Sequence, residues 1–224
     1  MSSPVIQINN VSISQSAGVV ISNLSLSVNK GEFVYLLGKT GSGKSSVLKC
    51  LYGEIPISSG TASIAGYELS TIKQKDIPFL RRKLGIVFQD FQLLNDRSIF
   101  ENLRFVMRAT GWKQEEDIKK QINTVLEQVG LTGKGAKMPY EISGGEQQRV
   151  SIARALVNQP EIILADEPTG NLDPDTSSEI MKLFMDISKT GTSILFATHD
   201  MLLYNKFAAR TLKCENGVVV ELNR

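Results

Sequence analysis

The segment Gly38-Lys39-Thr40-Gly41-Ser42-Gly43-Lys44-Ser45 constrains this chain more than any other. It follows a continuous apolar run, Phe33 to Leu37, that reads as a strand buried on both faces. It precedes Val47, Leu48 and Leu51, which fall on one face of a helix. Glycines at this spacing let backbone N–H groups converge on one point, and the helix start adds its partial positive charge. A strand, turn and helix of this kind make a cradle for phosphate oxygens. Lys44 then neutralises the β- and γ-phosphates, and the Ser45 hydroxyl completes a magnesium shell. Gly38 through Ser46 are the expected phosphate-binding residues.

A second element agrees with the first. Ile162 to Ala165 is a buried apolar run that ends in Asp166 and Glu167. A buried strand delivers such carboxylates to the sheet edge where the glycine-rich turn also opens. Asp166 suits a metal, and Glu167 suits a water-orienting or base role facing a γ-phosphate. Around these motifs the period alternates. Ile118, Ile122, Val125, Leu126 and Val129 step at helical spacing behind Glu115, Glu116 and Asp117. Phe100 to Thr110, the segment from about 145 to Val157, and Ile180 to Ile187 also read as helices, and Ser193 to Ala197 as a buried strand. Helix and strand in alternation imply right-handed crossovers and a parallel sheet. The early strands, at Val5 to Val11, Leu24 to Val28, Thr61 to Ile64 and Leu84 to Phe88, are separated by short turns, so part of the fold is expected to be antiparallel.

Composition removes several alternatives. At 224 residues the chain holds one domain, or one with a subdomain. A net charge of +2 argues against a grip on nucleic acid led by electrostatics. Two cysteines, Cys50 and Cys214, make no disulfide framework, and a single histidine builds no His-rich metal site. No tract approaches the ~18 apolar residues of a membrane span. MSSPVIQINN lacks the basic and apolar regions of a secretion signal, so a cytosolic domain that meets any membrane through a partner is expected.

The residues that choose among phosphate-cradle proteins are Ile142-Ser143-Gly144-Gly145-Glu146-Gln147-Gln148-Arg149. Ser143 and the two glycine amides stand at a helix start and form another anion-binding terminus. This string resembles the signature motif of ATP-binding-cassette (ABC) ATPases. Gln89 after one strand, the Asn171-Leu172-Asp173 loop, and His199 after another strand complete the set. The resemblance implies an α/β fold: a P-loop NTPase core with a mostly parallel sheet, an antiparallel β subdomain and a helical subdomain. One nucleotide-binding domain is expected over 1–224, with the helical insert at about 95–155. It also implies ATP and Mg²⁺ as ligands, with Glu167, His199 and Gln89 at the reacting end. Ser45, Gln89 and Asp166 would hold the metal. Ser143, Gly144, Gly145 and Glu146 would serve nucleotide held by a second copy in a two-fold homodimer, with Asp173 signalling across it.

Finer resemblances follow. Pro78 to Arg97, with Gln89-Asp90, Leu93-Leu94 and Asp96-Arg97, resembles the cell-division branch of the family. Glu167 to Asp173 is shared with lipoprotein-release and macrolide-type export ATPases, which form the alternative reading. The first implies a peripheral ATPase at the cytoplasmic face of the bacterial inner membrane, at the septum. Its partner would be an FtsX-like integral membrane protein, docked in a groove around Phe91, Leu93, Leu94 and the Phe100 to Met107 helix. A small-molecule kinase and a non-hydrolysing ATP-dependent scaffold are the remaining alternatives. One departure stands out: Val11 to Gly18, where the family places an aromatic against adenine, has none.

Overall fold

A computed structural model describes residues 4–15 and 18–222. The chain opens with β1 (Ile6–Gln15) and β2 (Gly18–Val28), then enters β3 (Phe33–Leu37) and, past the glycine-rich turn, α1 (Lys44–Leu51). β4 (Ile57–Ile64) and β5 (Tyr67–Glu68) return to the first two strands and complete an antiparallel sheet of order β2-β1-β4-β5. Short α2 (Ile77–Arg82) leads into β6 (Leu84–Val87). Three helices follow: α3 (Ile99–Ala109), α4 (Glu115–Gln128) and α5 (Gly144–Leu156). The chain ends through β7 (Ile162–Asp166), α6 (Pro174–Lys189), β8 (Ser193–Thr198), α7 (Met201–Lys206), β9 (Arg210–Glu215) and β10 (Val218–Leu222).

The second sheet runs β10-β9-β3-β8-β7-β6 and is parallel except where β10 turns back on β9. Its central strands explain the continuous apolar runs. In β3, Val34 and Leu36 face the core shared with the antiparallel sheet and α1, whereas Phe33 and Tyr35 face the core under the helices. β7 divides in the same way, Ile162 and Leu164 to one side and Ile163 and Ala165 to the other. A strand covered on both faces has no polar side to show in its sequence.

The expected mixed architecture is the observed one. β4 starts at Ile57, earlier than expected, and β6 ends at Val87, one residue sooner. Asn216 and Gly217, both at positive φ (51° and 74°), form the turn between β9 and β10. An Asn-Gly pair flanked by strand formers is the sequence signal for that hairpin. Among the described residues no helix is long and apolar enough to cross a membrane.

Candidate active site

The parallel register sets the site. β3 pairs Leu37 with Thr198 of β8, and β7 pairs Asp166 with Ala197. The glycine-rich turn, Asp166-Glu167 and His199 therefore leave the sheet together at its C-terminal edge, the usual binding edge of such sheets.

In the turn, Gly43 caps α1 at φ 100°, and a side chain there would meet Ile21 Cδ1 at 2.7 Å. Only glycine serves both demands. Lys44 lies almost wholly out of solvent, at 4% exposure. Its ammonium donates to Gly38 O (2.7 Å) and Lys39 O (3.1 Å) and pairs with Glu167 Oε1 at 2.9 Å. Three N–H groups meet three acceptors. Lys39, Thr40, Gly41 and Ser42 line the mouth, a cavity of about 890 Å³ that also touches Val20, His199 and Asn216. Ser46 is buried beneath it on α1. Cys214, to which the sequence assigned no role at the site, supports the turn, its thiol donating to Ser42 O at 2.8 Å.

Glu167 sits at φ 49°, a conformation that costs a non-glycine residue on the order of 1–2 kcal/mol. Its backbone N–H donates to Ala197 O at 3.0 Å, which fixes it to β8. The bend aims its carboxylate between two cationic or polar groups. Oε1 faces Lys44, and Oε2 lies 2.8 Å from His199 Nδ1 while accepting from the His199 backbone at 3.3 Å. Next to it, Ser45 Oγ donates to Asp166 Oδ1 at 3.0 Å. Burial pushes the Asp166 carboxyl above the ordinary range, against the Ser45 hydrogen bond. One carboxylate and one hydroxyl beside a phosphate cradle fit Mg²⁺, which takes few protein ligands and completes its shell with water and substrate oxygens. No denser cluster of metal-ligating side chains occurs among the described residues.

Gln89 is committed elsewhere. Its carboxamide donates to Asn171 Oδ1 at 3.0 Å, and Asn171 Nδ2 returns a bond to Gln89 O at 3.1 Å. The structure thus ties Gln89 to the loop that follows Glu167. Phe91 and Gln92, just beyond, are both left-handed (φ 57° and 48°).

At the start of α5, Ser143 Oγ accepts from Glu146 N at 3.2 Å, and Glu146 Oε2 accepts from Ser143 N at 2.9 Å. Those reciprocal bonds form a capping box. The Ser143 amide holds the Glu146 carboxyl below its ordinary value, and Lys134 lies 3.1 Å away. Glu146 is therefore engaged in the cap. Ser143 and Gly144 are exposed. Gly145 has a packing reason, because a Cβ there would stand 2.6 Å from Thr176 Cγ2 of α6. Asp173 caps α6, accepting from Asp175 N (3.1 Å) and Thr176 N (3.0 Å). Gln148, fully buried, donates to Pro168 O at 2.6 Å and to Phe88 O at 3.4 Å.

A groove runs beside α3, and only part of the set expected to dock a partner lines it. Leu94, Phe105 and Val106 face a groove of about 490 Å³, but Leu103 and Met107 are fully buried in the helical core, and Phe91, Leu93 and Phe100 are not among its walls. Of the stretch without an aromatic, Ser16 and Ala17 lie outside the described residues.

These features define a P-loop ATPase of the cassette type, and residues 21–170 match the ABC transporter family, to which the chain belongs. It binds and hydrolyses ATP. The chain is 48% identical to the cell division ATP-binding protein FtsE of Streptococcus pneumoniae, over 88% of this chain and 85% of that one. Identity is 46% to FtsE of Bacillus subtilis and 39% to that of Escherichia coli, over 89% and 88% of this chain and 87% and 88% of the relatives. The cassette MJ0796, solved as a dimer in a post-hydrolysis state bound to ADP and Pi, superposes with a TM-score of 0.85 at 31% identity, covering 97% of this chain and 98% of that one. CbiO1 of Clostridium perfringens, part of the transporter complex CbiONQ, gives 0.89 at 29% identity, covering 98% of this chain and 88% of that one.

Proposed function

We propose that the chain is the FtsE-like ATPase subunit of a membrane complex acting in bacterial cell division. Two copies close on two ATP molecules, and an FtsX-like integral membrane protein carries that motion across the inner membrane to regulate peptidoglycan hydrolases. The ATPase would sit peripherally on the cytoplasmic face, at the septum. The observation that carries the enzymatic part is the placement of Glu167 between Lys44 and His199, one residue from the Ser45–Asp166 pair.

Lys44 is held by Glu167 at 2.9 Å, and a triphosphate bound in the Gly38–Ser46 cradle supplies a stronger anion at the same ammonium. Glu167 is then free to orient water and take its proton as the new O–P bond forms and the bond to the β-phosphate oxygen breaks. His199 holds the other carboxylate oxygen and keeps the base aimed. Mg²⁺, held by Ser45 and Asp166, would neutralise charge on the phosphate oxygens, and the Gln89 carboxamide would join it on leaving Asn171. The exposed Ser143 cap offers its hydroxyl and the Gly144 and Gly145 amides to nucleotide on the second copy, with Asp173 at the same face. ATP favours the closed pair only through its differential affinity for that state.

Leu94, Phe105 and Val106, with Arg82 and Arg154 on the same groove, would receive the membrane partner. Co-purification of a tagged copy from membranes tests the assignment. Recovery of an FtsX-like protein supports it, and recovery of a lipoprotein-release permease contradicts it.

A further inference from the structure

Arg154 projects from α5 toward the loop that carries Gln89. Its guanidinium donates through Nη2 to Phe91 O at 2.8 Å, through Nη1 to Gln92 O, and weakly to Ser151 Oγ at 3.4 Å. No carboxylate forms an ion pair with it among the described residues. Phe91 and Gln92 are the two consecutive left-handed residues, so their carbonyls turn to one side, where the planar fork meets both. The same helix holds the near end of the loop, through Gln148 to Phe88 O. A single rigid rod, whose first turn is the Ser143 cap, thus grips the loop on both sides of Gln89. Arg154 and Gln92 also line the groove beside Leu94.

We propose that Arg154 is a positioning residue for ATP hydrolysis: it locks the Phe91–Gln92 turn and so fixes where Gln89 stands. This rests on the role given to Gln89 above. The arrangement explains why a half-buried cation is spent on two carbonyls rather than on a carboxylate. It also makes the loop answer to any rotation of α5. A lysine keeps the charge but offers no planar fork, so it reaches one carbonyl at a time.

Four variants test this: Gln89→Ala, Arg154→Met, Arg154→Lys, and Arg154→Met combined with Gln92→Gly. Loss of positioning lowers kcat about tenfold or more in Arg154→Met while KM stays within about twofold. Amides of residues 88–92 exchange with solvent about tenfold faster. Arg154→Lys rescues little. Glycine adopts positive φ freely, so Gln92→Gly in the Arg154→Met background recovers kcat at least about threefold. Unchanged exchange at 88–92 in Arg154→Met overturns the clamp, whatever the activity. Wild-type turnover in Arg154→Met beside a slow Gln89→Ala overturns its link to catalysis, as does failure of the glycine to restore rate. A Gln89→Ala variant at full speed refutes the role of Gln89 itself, and with it the effect on turnover. ATP binding and the melting temperature of each variant show whether it is folded.

Discussion

Replacing Glu167 by glutamine should do two opposite things at once. The carboxylate is 15% exposed and its partner Lys44 4%, so the pair at 2.9 Å is little screened. Glutamine keeps an acceptor oxygen at nearly the same place but removes the charge. The Lys44 ammonium stays charged, so the bond remains charge-assisted but drops from the top toward the bottom of the ~1.5–3 kcal/mol span of such bonds, a loss of roughly 1–1.5 kcal/mol. For a chain of this size that lowers the melting temperature by about 2–6 °C without nucleotide. The γ-phosphate competes with Glu167 for the same ammonium, and in the variant it displaces only a neutral amide. The lost stability should therefore reappear as ATP affinity, about tenfold tighter, since 1.4 kcal/mol is a factor of ten. Thermal melts and titration with a fluorescent ATP analogue measure both effects. The titration should be run in a Ser143→Arg background, so that dimer closure adds nothing. A variant that melts no lower and binds ATP no tighter would refute competition between carboxylate and phosphate.

Lys44→Ala removes the ammonium common to Gly38, Lys39 and Glu167, and nucleotide binding should vanish in an equilibrium titration. Asn102, 2% exposed, accepts from Leu94 N at 2.8 Å and donates toward the carbonyls of Leu94, Arg97 and Ser98. Asn102→Leu takes these bonds from Leu94 N and from the carbonyls of Leu94 and Arg97, whereas Ser98 O keeps the bond from the residue 102 backbone, and urea unfolding should show a loss of about 1–3 kcal/mol. The Arg210 guanidinium, 2.8 Å from Glu221, holds that carboxyl below the ordinary glutamate value. A carboxyl lowered by folding stabilises above its unfolded value and loses that contribution as pH falls through the folded one. Glu221 is half-exposed, so the gain is under about 1 kcal/mol, and Glu221→Gln should melt below the parent at pH 7 but level with it in acid.

Much of this was legible in the sequence because several signals agreed. The Phe33–Leu37 and Ile162–Ala165 runs announced strands covered on both faces, and the glycines between Gly38 and Gly43 announced the turn at the end of the first. The geometry around Glu167 was less legible. Nothing in the string Asp166-Glu167-Pro168 tells that the glutamate adopts a left-handed backbone or that Lys44 and His199 share its two oxygens. Those contacts depend on the register between β7 and β8. Gln148, Arg154 and Cys214 went without assigned roles for a related reason. They act on backbone carbonyls, and a carbonyl carries no mark of its residue type. Gln89 and Glu146 were placed by likeness to the family, whereas the structure ties one to Asn171 and the other into a helix cap.

The central claim is that Ser143 of one copy completes the nucleotide site on Lys44 of another. Sedimentation of Glu167→Gln with ATP and magnesium, alone and combined with Ser143→Arg, tests it most directly. The account predicts a dimer for the single variant and a monomer that still binds ATP for the double. A double variant that dimerises as tightly as the single one, or a single variant that stays monomeric with ATP bound, would contradict it.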